Sequence, residues 1–224
     1  MYTYGLKDLY GKAVEYVEDN SNKDLVFIPA ISGEKYFSQP DDKKVMVFGR
    51  SVNGWSMPLF SLTENSEWFP YGLRWVYESG NFCTDGSGHE PAVNHSKFWQ
   101  FIRCNLKLHG ISQKNFSDYI VWSNLYKISP KDRGNPNNKI CQDTYNLMDE
   151  ILCEELRFYK PQKVWFITEP YNKIFGKWIF WEYNKGVSFK NTRNYINDND
   201  MEAKLFLRPE RRKFEDVIKK ASWI

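Results

Sequence analysis

The stretch "VWSNLYKISPKDRGNP", Val121 to Pro136, joins the end of an apolar segment to a loop rich in charge, glycine, asparagine and proline. The apolar segment, "YIVWSN" (Tyr119–Asn124), has the length and composition of a buried β-strand. Asn124 places a carboxamide at the tip of this strand, and Lys127 follows three residues later. Ligands of α/β proteins bind where strands end, so the stretch indicates both a fold and the position of a site.

Three further segments share the length and the apolar character of this strand. They are "KVMVFG" (Lys44–Gly49), "KVWFIT" (Lys163–Thr168) and "AKLFLR" (Ala203–Arg208). All four segments are almost continuously apolar rather than alternating, which is typical of strands buried on both faces of a parallel sheet. The sequence therefore predicts a central, mostly parallel sheet of four strands.

Amphipathic helical patterns lie between and after these strands. Apolar residues at helical spacing recur in Phe98–Leu106, Leu147–Leu156 and Phe214–Ala221. The stretch "NTRNYINDND" (Asn191–Asp200) is predicted to be a polar loop. Strands that alternate with helices predict a three-layer α/β/α sandwich. No linker rich in Ser, Gly or Pro divides the chain, so we expect one domain, residues 1–224.

The composition sets few limits on the partner. A net charge of +3 and a pI near 8.5 permit a polyanionic partner without requiring one. No apolar run reaches the length of a membrane span, and the polar start "MYTYGLKDLY" does not have the layout of a signal peptide. We therefore expect a cytoplasmic protein with no membrane partner.

The cysteines and histidines are too scattered for a zinc site of the usual paired spacing. The four cysteines are Cys83, Cys104, Cys141 and Cys153, and the three histidines are His89, His95 and His109. We expect four buried thiols, no metal and no other cofactor.

A second motif, "VFGRSVNGWSMPLF" (Val47–Phe60), follows the first strand. Gly49 at the end of that strand lets the backbone turn sharply and present amide N–H groups to a ligand. The motif precedes the strand–Asn–x–x–Lys–loop–Asn-Pro order, a helix that ends in "ELRFYKP", and another strand. This ordered set resembles the uracil-DNA glycosylase superfamily over roughly Lys44 to Arg212, and most closely its members with an iron–sulfur cluster.

The resemblance implies a base pocket. Asn124 matches the asparagine that reads a flipped uracil, and its amide offers a donor and an acceptor to the O4 and N3–H edge of that base. Phe60 matches the phenylalanine that stacks on the extracted base. We expect a set of residues that line this pocket: Gly49, Arg50, Trp55, Phe60 and Asn124. The alternative for Asn124 is that it caps the following loop.

The catalytic positions depart from the family pattern. Ser51 stands where the family often has an Asp or Asn that positions water, and Asn53 is a substitute candidate. Arg208 stands before Pro209 where the family usually has a histidine, and as a cation it would stabilise the leaving base. The cluster-bearing members begin with a close pair of cysteines, which this chain lacks, so we expect no cluster.

The basic side chains near these motifs suggest contacts with phosphate. We assign Lys127, Arg211 and Arg212 to this role. The resemblance then implies a DNA glycosylase, expected to be a monomer, that hydrolyses the N-glycosidic bond of uracil or a related damaged base when that base is flipped out or single-stranded. Two alternatives stay open: a module of the same fold that binds nucleic acid without cutting it, and a nucleoside or nucleotide hydrolase. The aromatic-rich segment Ser66–Phe82 is a candidate lid, wedge or packed insertion.

Overall fold

The fold is seen in a computed structural model of the 224-residue chain. The structure describes residues 4–20, 24–50, 96–111, 116–130, 136–168, 190–209, 213–219 and 222–223. The helices are α1 (Tyr4–Asp19), α2 (Lys97–Leu108), α3 (Asn138–Tyr159), α4 (Lys190–Asp198) and α5 (Phe214–Lys219). The strands are β1 (Leu25–Phe27), β2 (Ile31–Ser32), β3 (Val45–Gly49), β4 (Ile120–Asn124), β5 (Ile128–Pro130), β6 (Lys163–Ile167), β7 (Glu202–Phe206) and β8 (Ser222–Trp223). Two short 3-10 turns cover Asp41–Lys43 and Phe116–Tyr119.

The main sheet has six strands in the order β2-β4-β3-β6-β7-β8. Its four central strands run parallel, and Val47 of β3 pairs with Trp122 of β4 on one side and Trp165 of β6 on the other. These are the four strands that the apolar segments predict. The predicted total of four is wrong, because β2 and β8 add antiparallel edges with only two residues each. Such short strands leave no apolar run to detect.

Helices cover both faces of this sheet, because strand side chains alternate between the faces. On one face Met46 and Phe48 pack in a cluster with apolar residues of α1, α3 and α4. On the other face Val45, Val47 and Trp165 pack in a second cluster with residues of α2 and α5. The mixed α/β class is therefore confirmed, with β1 and β5 forming a separate antiparallel pair.

Helix α4 occupies the stretch for which a polar loop was predicted, so that prediction is wrong. The carboxylate of Asp149 on α3 accepts hydrogen bonds from the backbone N–H groups of Asn191 and Thr192, at 2.9 Å each. The Thr192 hydroxyl donates to the same carboxylate at 2.6 Å, and Ile196 one turn later is buried. A carboxylate supplied from another helix thus satisfies the N-terminal N–H groups of α4.

The cysteines that the structure describes are free thiols that differ in burial. Cys141 and Cys153 are buried free thiols, whereas Cys104 is only half-buried, so the prediction that all four are buried is wrong at that position. Cys83 lies outside the described residues. Across the part of the chain that the structure describes, no group of three His, Cys, Asp or Glu side chains is placed to hold a metal ion. In the same part, no helix is both long enough and apolar enough to cross a bilayer.

His109 follows the last residue of α2, is partly buried and packs beside Trp165. Its ring lies 5.2 Å from the Trp165 ring, centroid to centroid. Burial lowers the pKa of this imidazole from its ordinary value of 6.5. Glu202 opposes that shift, and three lysines reinforce it: Lys163, Lys204 and Lys43.

We predict that His109 makes folding stability decline as the pH falls below 6.5. The unfolded chain takes up a proton on this imidazole near pH 6.5, whereas the folded protein resists protonation until a lower pH. The stability that neutral His109 supplies is therefore lost as the pH falls from 6.5 to the lower pKa that this imidazole has in the folded protein. The measurement is the thermal midpoint of the wild type and of His109→Gln at about pH 7.5 and about pH 5.5. The thermal midpoint of His109→Gln should fall less than that of the wild type on acidification. An equal fall in both proteins would contradict the prediction.

Candidate functional site

The parallel strands end together along one side of the sheet, which we call the carboxyl edge. It is formed by Gly49, Asn124, Thr168 and Leu207, the residues at or just after the ends of β3, β4, β6 and β7. Gly49 and Asn124 are paired in register on adjacent strands. The pairing continues beyond the strands, because the Leu125 N–H donates to the Gly49 carbonyl at 3.0 Å and the Tyr126 N–H donates to the Arg50 carbonyl at 2.9 Å.

The side chain of Asn124 lies across Gly49. The residue is only 2% exposed, and a Cβ atom built on Gly49 would stand 2.5 Å from Asn124 Oδ1. The same Cβ would stand 3.5 Å from the Phe98 ring, which belongs to the first turn of α2. Glycine is therefore needed here for space and not for an unusual backbone angle. Phe98 was not among the predicted site residues, although it begins the apolar face predicted for α2.

The amide nitrogen of Asn124 is buried, and among the described residues it has no hydrogen-bond partner. Leaving such a donor unsatisfied costs roughly 1–3 kcal/mol, and most buried polar groups in proteins are paired. The alternative that Asn124 caps the following loop stays open, because residues 131–135 of that loop lie outside the described residues. Among the described residues, the arrangement leaves this donor at the carboxyl edge without an acceptor.

Thr168 presents a second polar atom at the carboxyl edge. Its Oγ1 is buried and also lacks a partner among the residues that the structure describes. Strand β3 lies between β4 and β6, so the strands that carry Asn124 and Thr168 are about 10 Å apart. Thr168 ends one of the predicted strands but was not predicted as a site residue.

Lys127 does not have the location that was expected for a phosphate contact. The residue is 0% exposed, and its Nζ donates to both carboxylate oxygens of Glu155 at 2.6 Å and to the hydroxyl of Ser123. Burial lowers the pKa of this ammonium group, and the attraction of Glu155 opposes the shift. A fully buried ammonium that is paired within the core is not available to nucleic acid. The assignment of Lys127 to phosphate binding is therefore wrong.

Glu155 also binds groups from distant parts of the chain. Its Oε1 accepts from the Tyr10 hydroxyl at 2.7 Å and from the Ala30 N–H at 3.1 Å, while its Oε2 accepts from Ser123 Oγ at 2.9 Å. We call Tyr10, Ala30, Ser123, Lys127 and Glu155 the Glu155 cluster; each of the five is 0% exposed. Sequence reasoning missed it, although a carboxylate within the apolar face of α3 is a detectable signal.

Arg50 and Arg208 both lie at the carboxyl edge, where the sequence places them. Arg208 is half-buried and follows β7 by two residues. Three strand spacings separate β7 from β4, so the backbone at Arg208 and the backbone at Asn124 are roughly 14 Å apart. The two arginines therefore stand on different sides of the edge, Arg50 beside Asn124 and Arg208 beyond Thr168.

The other predicted site residues lie outside the described residues. They are Ser51, Asn53, Trp55, Phe60, Arg211 and Arg212, and the aromatic-rich segment Ser66–Phe82 lies outside as well. The structure therefore brings together Gly49, Arg50 and Asn124 and adds Phe98 beside them.

The chain matches no model of a protein family, and no curated protein matches it. Its function is therefore inferred from the carboxyl edge and from the motifs of the chain itself.

We predict that Gly49→Ala displaces the Asn124 amide without unfolding the protein. The added Cβ collides with the end of a side chain, which can rotate, so the stability loss should be about 1 kcal/mol. The measurements are the thermal midpoint and the side-chain NH₂ resonances of Asn124 in an NMR spectrum. A matched control is Gly5→Ala in α1, where the new Cβ would meet no atom closer than 3.7 Å. If the Asn124 resonances of Gly49→Ala coincide with those of the wild type, Asn124 does not pack over Gly49.

Proposed function

We propose that the protein binds a nucleobase at the carboxyl edge through Asn124 and hydrolyses the N-glycosidic bond of that base, uracil or a related damaged base in DNA. One observation carries the proposal: the buried Nδ2 of Asn124 has no partner among the described residues and lies at the end of a parallel strand. That is where ligands bind in open α/β sheets. The resemblance of the motifs to the uracil-DNA glycosylase superfamily supports the choice of base.

The amide of Asn124 has the chemistry to select uracil. Its Nδ2 would donate to O4 and its Oδ1 would accept from N3–H. Cytosine presents a donor and an acceptor in the opposite order, so both contacts would be mismatched. A buried mismatch costs roughly 1–3 kcal/mol per group, which corresponds to about a tenfold to hundredfold preference.

The burial of this amide also bears on the form of the substrate. A base stacked inside a duplex cannot reach a side chain that is 2% exposed, so the base must be flipped out or belong to a single strand. Arg50 and Arg208 place positive charge along the same edge, which favours a phosphate-bearing substrate. We infer DNA as the partner, a monomeric protein and a cytoplasmic location.

The proposed reaction uses the residues on each side of the base. As the glycosidic bond breaks, the sugar gains oxocarbenium character and the base leaves with negative charge. Arg208 and the backbone amides that follow Gly49 stabilise that charge. Ser51 or Asn53 holds the attacking water, whose oxygen bonds to the sugar carbon C1′ as the bond from C1′ to the base breaks. Neither side chain is basic enough to remove the proton of that water near neutral pH, so the proton passes to the departing base anion.

We predict that Asn124→Ala loses the recognition of uracil. Labelled oligonucleotides that carry one uracil, single-stranded or opposite G or A, should be cleaved by alkali after treatment with the wild-type protein. The variant should lose this activity by about tenfold or more, because one buried hydrogen-bonding group is removed.

Asn105→Ala is the matched control for this experiment. Asn105 is 3% exposed, and within the described residues its Nδ2 also has no partner. It lies seven residues after Phe98 on α2, about 10 Å farther along the helix. Equal loss in both variants would contradict a specific role for Asn124.

A second candidate function is a module that binds uracil-containing DNA without cutting it. Ser51 and Arg208, at the two positions where the family usually has other residues, favour this alternative. An electrophoretic shift by the wild type, abolished in Asn124→Ala and unaccompanied by scission at enzyme excess, would establish binding alone. Activity on free nucleoside that does not change with salt would instead indicate a nucleoside hydrolase, since contacts with DNA phosphates weaken as salt rises.

A further inference from the structure

The two residues that bracket the Asn124 segment are both held by one buried carboxylate. Ser123 immediately precedes Asn124, and its hydroxyl donates to Glu155 Oε2 at 2.9 Å. Lys127 follows three residues later, and its ammonium group donates to both oxygens of Glu155 and to Ser123. The segment is therefore fixed to α3 at each of its ends.

The residues between these two anchors are fixed to the neighbouring strand. The Leu125 and Tyr126 N–H groups donate to the carbonyls of Gly49 and Arg50. Successive side chains of a strand point to opposite faces, so Ser123 reaches the Glu155 cluster on one face while Asn124 lies over Gly49 on the other. The backbone of Asn124 is thus held from both sides of the sheet.

The Asn124 amide needs such support, because within the described chain its Nδ2 has no partner of its own. A recognition group that is already oriented binds its ligand more tightly than one that must first be ordered. A buried ion pair, by contrast, is weak support for stability, because an apolar replacement of the pair is often no less stable. Stability alone therefore does not account for a lysine and a glutamate that are both 0% exposed beneath this segment.

We infer that the buried Lys127–Glu155 pair is a positioning device for base recognition: it holds the Asn124 segment in place and so sets the discrimination between uracil and cytosine. This inference rests on the proposed function of Asn124. Neither Lys127 nor Glu155 touches the base; both act through the backbone of residues 123–127.

We predict that Lys127→Met combined with Glu155→Gln keeps the fold and loses the discrimination. The glutamine retains one acceptor oxygen, which serves Tyr10 and Ala30 as Oε1 of the glutamate does, and the double change leaves neither charge of the pair in the core. The thermal midpoint should stay close to that of the wild type. The ratio of affinities for single-stranded oligonucleotides with one uracil or one cytosine should fall by about tenfold. Backbone hydrogen exchange at Leu125 and Tyr126 should become faster.

Thr192→Val is the matched control. Thr192 belongs to another buried polar link of α3, through Asp149, and it is also 0% exposed. This variant should lower the thermal midpoint and leave both the uracil-to-cytosine ratio and the exchange at Leu125 unchanged. The uracil-to-cytosine ratio could instead change only in step with the thermal midpoint across all variants. That result would show that the Lys127–Glu155 pair serves general stability, and it would overturn the inference.

The remaining outcomes separate this inference from the proposed function. If Asn124→Ala removes the discrimination and the double variant keeps it with unaltered exchange, the positioning role fails while the proposed function stands. If Asn124→Ala leaves the ratio unchanged, the proposed function fails, and the exchange at Leu125 and Tyr126 still decides whether the pair holds the segment. Should the double variant not fold, Ser123→Ala, which removes one hydroxyl of the cluster, carries the same expectations.

Discussion

The carboxylate of Glu155 is the constraint around which the described parts of the molecule are arranged. A carboxylate without water must be compensated by a cation and by hydrogen-bond donors, because its desolvation is otherwise too costly. Here the compensation comes from α1 through Tyr10, from the chain before β2 through Ala30, and from both ends of the β4 tip through Ser123 and Lys127. One buried charge thereby joins the N-terminal helix, an edge of the main sheet and the candidate site.

The centre of the fold could be predicted because its signal is local. Strands β3, β4 and β6 are buried almost throughout and are nearly continuous apolar runs, whereas β7 is partly exposed at Glu202 and Lys204. Each of the four strands differs from its predicted segment by at most two residues at either end. Asn124 and Gly49 could be placed at the carboxyl edge for the same reason. Strands β2 and β8 could not be predicted, because a strand of two residues carries no apolar pattern and its pairing depends on neighbours distant in sequence.

The incorrect predictions concern polar residues whose partners lie far along the chain. Helix α4 is polar in sequence and forms where Asp149, some 42 residues earlier, satisfies its first N–H groups. Lys127 has the sequence context of an exposed loop cation, yet its partner Glu155 lies 28 residues away. In both cases a buried carboxylate on α3 decides the outcome, and a single sequence does not reveal which distant group such a carboxylate will meet.

The hydrogen bond between Tyr10 and Glu155 joins residues 145 positions apart, so the residues of the Glu155 cluster are synthesised at different times. During synthesis, Tyr10 and Ala30 leave the ribosome long before α3 does, so their hydrogen bonds to Glu155 form only after α3 has been made. Until then the β4 tip lacks its support, even though β3 and β4 are already complete and able to pair. The growing chain can thus present Asn124 in a fixed orientation only after α3 has been made, later than the pairing of β3 with β4.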